Sequence, residues 1–169
     1  MRLTRRHLLA GAALVAAASA AGAGGIAASW WDQGAGEGYA VLSEDEAAIV
    51  DALAEAAYPT GGEPAIGGRD VGAARYLDVV LLGMEPTQRN LLRVSLHALD
   101  AFPVATRGAR LRFLAPEEAA AVVAEGLASP TAELRGLFQS FHLFVGMAYT
   151  SHPDVAPRLA RHFGCGFGR

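Results

Sequence analysis

Ser129-Pro130-Thr131-Ala132-Glu133-Leu134-Arg135-Gly136-Leu137-Phe138-Gln139-Ser140-Phe141-His142-Leu143-Phe144-Val145-Gly146-Met147-Ala148-Tyr149 carries more aromatic mass than any other stretch, and its spacing decides the fold. Leu134, Leu137, Phe138, Phe141, Phe144, Val145 and Ala148 recur every three or four residues, which places them on one face of a helix. Ser129-Pro130 supplies the start, since Ser caps the free amides and Pro suits a first turn. A helix with so broad an apolar face is expected to be the centre of a bundle.

Four more helices are legible upstream. Ser43-Glu44-Asp45-Glu46 is a capping box, and Ile49, Leu53, Ala56 and Ala57 then fall on one face until Tyr58-Pro59 ends the run. Thr60 to Gly68 is a Gly/Pro loop. A second helix is predicted from about Asp70 to Leu82, with Ala73, Tyr76, Leu77, Val80 and Leu81 inward and Gly83 as its stop. A third starts at Pro86 and turns Leu91, Leu92, Ser95, Leu96, Leu99 and Phe102 inward. Residues 103–114 read as irregular and Arg-rich, and Ala115-Pro116-Glu117-Glu118 opens a fourth helix with acids at its positive end. No alternating run of strand length occurs. The expected architecture is all-α, a small bundle of about five helices. A single helical domain spans residues 42–163, after a flexible Gly-rich linker at 31–41 and before a flexible tail at 164–169.

In front of this body stands Thr4-Arg5-Arg6-His7-Leu8-Leu9, followed by Ala, Gly, Leu and Val with no acid or Arg from His7 to Asp32. Residues 1–30 therefore read as a twin-arginine export signal with Arg5 and Arg6 as its signal residues, addressed to the twin-arginine translocase. Cleavage near Ala18-Ser19-Ala20 or Ala21-Gly22-Ala23 is the first reading. Retention as an amino-terminal anchor is the second, with Trp30 and Trp31 as interfacial aromatics, although that pair equally suits an ordinary packing contact. The expected location is periplasmic or exported, membrane-associated through the N-terminus in the anchored case.

Removing Arg2, Arg5 and Arg6 from the 14 basic residues leaves 11 against 17 acidic ones, a formal charge of −6, which argues against nucleic acid as a partner. The one cysteine, Cys165, excludes an internal disulfide framework, a covalent haem motif and a Cys-based zinc or iron–sulfur site. Gly34, Gly36 and Gly38 mimic a phosphate-binding spacing without the strand-to-helix context that it needs. Among the histidines, His97 with Asp100 has the i, i+3 spacing of an oriented base, but reads as a surface or half-buried helix contact. His142 reads as a packing histidine, and His152 before Pro153 as a turn residue with some claim to function. Cys165, near Arg161 and Arg169, reads as an inert terminal thiol. No catalytic residue, metal site or cofactor site is expected in this chain.

Taken in order, Thr4-Arg5-Arg6, Leu42-Ser43-Glu44-Asp45-Glu46, Ala57-Tyr58-Pro59, Leu114-Ala115-Pro116-Glu117-Glu118 and Met147-Ala148-Tyr149-Thr150-Ser151-His152-Pro153 resemble the gluconate 2-dehydrogenase small (gamma) subunit family over most of residues 42–153. That resemblance implies a non-catalytic, chaperone-like accessory subunit in an oxidoreductase complex. Its partner would be a large FAD-dependent dehydrogenase subunit of the glucose-methanol-choline type, which would hold the FAD, with a cytochrome c subunit as a further partner in some complexes. The small subunit would supply the export signal and help mature the large one. Docking would fall on the aromatic helix and the turn behind it, at Phe138, Phe141, Tyr149, His152 and Pro153. After Pro153 the chain departs from the family, whose Gly-rich, Asn-containing turn is replaced by helical-looking Asp154-Val155-Ala156-Pro157-Arg158. The alternative reading is a stand-alone exported or membrane-tethered helical binding module without an enzyme partner.

Overall fold

α1 (Glu44–Ala57) begins where Ser43 Oγ accepts from the Glu46 amide and a Glu46 carboxylate oxygen accepts from the Ser43 amide. Two amides that the helix itself cannot satisfy are paired in this way. The computed structural model describes residues 30, 31 and 33–162, without the side chains of residues 161 and 162. After α1 come α2 (Ala73–Leu82), α3 (Pro86–Ala101), the short α4 (Val104–Arg107), a 3-10 turn (Leu111–Phe113), α5 (Pro116–Leu127), α6 (Ala132–Ser151) and α7 (Ala156–His162). The fold is all-α, with no strand among the described residues. The five helices read from the sequence correspond to α1, α2, α3, α5 and α6.

The centre of the bundle is α1, not α6 as expected. Ala47, Ile49, Val50, Ala52, Leu53, Ala54 and Ala56 are buried on all its sides, and α2, α3, the 3-10 turn, α5 and α6 all pack against it. Its alanines explain this position, because a helix that is apolar and narrow all round admits neighbours from every direction. By contrast α6 keeps a wet face, where Leu143 is 61% exposed. Ser140 and Thr150 on that helix donate their hydroxyls back to the Gly136 and Gly146 carbonyls, a local solution available to exposed polar side chains.

Two close approaches tie the layers together. At Gly126 of α5 the Phe138 ring of α6 lies where a Cβ would stand, so the absence of a side chain lets the two helices meet. At Gly68 the loop runs hard against the end of α1, with its amide donating to the Tyr58 carbonyl at 2.6 Å. Any Cβ there would collide with the Ala54 carbonyl.

The Gly-rich segment read as a flexible linker is pinned to the bundle. Both Asp78 carboxylate oxygens, presented by α2, accept from the amides of Ala40, Val41 and Leu42, each at 2.8 Å. Val41 and Leu42 enter the core, and the Gly36 amide donates to the Leu42 carbonyl at 2.8 Å. The acceptor sits 36 to 38 residues away in sequence, so composition alone could not reveal it.

Candidate functional site

Where α1, α3 and the 3-10 turn meet, the bundle buries a cluster of ionisable side chains. Glu46 is directed inward by its own capping role. Arg93, His97 and Asp100 follow at i, i+4 and i+7 on α3, which puts all three on one face. The Arg93 Nε donates to both Glu46 oxygens at 2.9 and 3.0 Å, and the His97 Nε2 lies 3.4 Å from Glu46 Oε1. Burial opposes ionisation of Glu46. Hydrogen bonds from His97, the Ser43 amide and Arg93, with the Arg93 charge, nevertheless hold its carboxyl below the usual range.

Asp100 forms the second half of the cluster. Its Oδ1 accepts from the Arg112 amide at 3.1 Å, while its Oδ2 lies 3.6 Å from Arg112 Nε and 3.7 Å from Arg110 Nη1. The Arg112 guanidinium continues to Asp45 Oδ1 at 2.9 Å and stacks over the Phe113 ring at 4.9 Å. The first turn of α1 therefore carries two carboxylates, one bonded to α3 and one to the 3-10 turn. Over this cluster lies Trp30, stacked on His97 with centroids 5.0 Å apart and planes within 9°. The Arg93 Nη2 donates to the Gln33 carbonyl at 2.6 Å, and Ser43 Oγ donates to Gln33 Oε1 at 2.7 Å.

Chemically this arrangement is a clamp. The Glu46 carboxylate is engaged by an amide, a guanidinium and an imidazole, and His97 is closed off beneath an aromatic ring. The sequence reading treated Glu46 only as a cap, passed over Arg93, and put His97 and Asp100 at or near the surface. In fact both are buried, and each engages a different partner. Their periodicity was the available signal: Leu91, expected inside, is 50% exposed, because the buried face of α3 is rotated toward Arg93, Leu96, His97 and Asp100.

The residues expected to dock a partner are mostly inside. Phe138 and Phe141 are each 1% exposed, and Phe138 meets Phe102 edge to face at 5.4 Å. The Tyr149 ring stacks on Tyr58 at 4.1 Å, and its hydroxyl donates to the Ile66 carbonyl at 3.0 Å. These three side chains close the core and offer a partner no surface, which corrects the expected docking assignment. A buried aromatic contributes about 1.5–3 kcal/mol to folding, and that burial is lost if the side chain turns outward. His152 is half-buried at the end of α6, with its Nδ1 accepting from the Asp154 amide at 3.3 Å, and Pro153 beside it is exposed. His142 is half-buried against Tyr58 at 6.1 Å. Arg5, Arg6 and Cys165 lie outside the described residues.

Large apolar side chains remain on the outside at Val79, Leu82, Leu91, Phe113 and Leu143. Among the described residues no three His, Cys, Asp or Glu side chains gather as metal ligands, and no helix is long and apolar enough to cross a membrane. No family model, curated protein or solved structure matches this chain.

Proposed function

We propose that this protein is a non-catalytic accessory subunit that binds a large FAD-dependent dehydrogenase of the glucose-methanol-choline type, helps it mature and carries it through the twin-arginine pathway. The observation that carries the reading is the pairing of Thr4-Arg5-Arg6 and its apolar leader with a small helical body. Twin-arginine export moves folded cargo, and a cofactor-loaded partner is cargo of that kind. Two features of the body are in keeping with it. Its buried ionisable groups are engaged with one another, and its exposed apolar residues on α2, α3 and α6 are side chains that a partner could cover. A standard interface of about 800 Å² per side is within reach of a bundle this size.

The test is to replace Arg5 and Arg6 with Lys and to locate the large subunit. Retention of both chains in the cytoplasm is expected, and normal amounts of the large subunit in the periplasm would refute the carrier role. Native purification without detergent supplies the complementary measurement, since a subunit brings a yellow flavoprotein with it and a stand-alone module emerges colourless.

A further inference from the structure

Trp30 and residues 33–42 make contacts to three helices at once. Asp78 on α2 accepts from the amides of residues 40–42, Ser43 at the start of α1 donates to Gln33, and on α3 Arg93 donates to the Gln33 carbonyl while His97 takes the Trp30 ring. Up to Ala40 these contacts are polar or stacking ones and lie on the outside of the bundle; the buried apolar positions begin at Val41. A segment held in this way has few apolar contacts to lose, and such segments open locally at lower free energy than the core.

We infer that Trp30 and residues 33–42 form a releasable strap that sets how far the amino-terminal leader reaches from the bundle. When docked, the strap fixes residue 30 beside α3, so the leader emerges at one place on the body. Release frees the 13 residues between Trp30 and Ser43, a tether of about 40 Å when extended, and uncovers His97. Asp78 is the natural release point. Its carboxylate holds three consecutive amides, and its loss leaves all three without an acceptor unless the segment lifts into water. The part of this inference that concerns export rests on the reading of residues 1–30 as a twin-arginine signal.

Hydrogen exchange on the full chain tests the strap. In the native protein the amides of residues 40–42 are expected to be protected, but to exchange faster than those of Ile49 and Val145. In Asp78→Ala their exchange should rise at least about tenfold with the α1 and α6 amides unchanged. In Trp30→Ala, carbethoxylation of His97 by diethyl pyrocarbonate should accelerate by a similar factor, which keeps the test open if Asp78→Ala does not fold. Unprotected 40–42 amides in the native chain, or exchange there only together with Ile49 and Val145, would overturn the strap. Its link to the leader is read separately from the export rate of the chain, expected to change at least about twofold in the released variants as the tether lengthens. An unchanged rate overturns that link. Normal export of a chain carrying Arg5→Lys and Arg6→Lys would instead refute the signal reading and leave the exchange result standing.

Discussion

Arg93 and Arg107 both form ion pairs, and their surroundings set very different expectations. Arg93→Ala leaves the Glu46 carboxylate buried without its guanidinium partner and should cost about 3–5 kcal/mol in urea denaturation. Arg107 reaches Glu125 on the surface, so Arg107→Ala should cost under about 1 kcal/mol in the same assay. Acid should act on the protein through the same buried groups. Burial works against ionisation of Glu46 and Asp78, yet hydrogen bonds, three of them from amides at Asp78, keep both carboxyls below their ordinary values. A folded pKa below the unfolded one means stability that is complete above the ordinary carboxylate range, near pH 4, and is lost as pH falls through the folded values. Asp51 carries the opposite sign, since burial raises its pKa against the pull of Arg69, and its penalty fades on acidification. With two groups against one, the melting temperature should fall below about pH 4, and Asp78→Asn should flatten that fall. An equally steep acid limb in Asp78→Asn would show that the strap carboxylate is not responsible.

At the scale of elements, the helix junctions make the sharpest predictions. Gly126→Ala places a methyl group against the Phe138 ring at the α5–α6 crossing, and an overpacked core of this kind loses about 1–3 kcal/mol. Thermal unfolding of that variant should show a lower midpoint, and an unchanged one would mean that α6 can shift freely. Ser43→Ala removes the acceptor for the Glu46 amide and the donor to Gln33 together, so its cost should exceed the roughly 1 kcal/mol of an ordinary cap. Start and stop signals made α1, α2, α3, α5 and α6 legible, because caps and prolines act within a few residues. Which face each helix turned inward was less so. For α3 the leucines pointed to Leu91 and Ser95, whereas the buried face includes Arg93, His97 and Asp100, whose charges are compensated by residues on α1 and on the 3-10 turn. The short α4 and that turn lie within the stretch read as irregular, where one or two turns leave no period to detect.

For the whole molecule, the decisive experiment is the replacement of Arg5 and Arg6 by Lys, which should strand both this chain and its large partner subunit in the cytoplasm. The all-α class, the number of long helices and their order were set by the sequence itself, since helix periodicity, capping boxes and prolines are local properties of the chain. Tertiary structure alone decided that alanine-rich α1 would be the axis and that Phe138, Phe141 and Tyr149 would face inward. It also decided that Asp78 would clasp a glycine-rich segment nearly forty residues away and that Glu46 would be sealed between Arg93 and His97. The physical reason is the same in each case. Backbone propensity and capping depend on neighbours within one or two turns, whereas burial and charge compensation depend on which distant surfaces meet, and that is settled only when the helices pack.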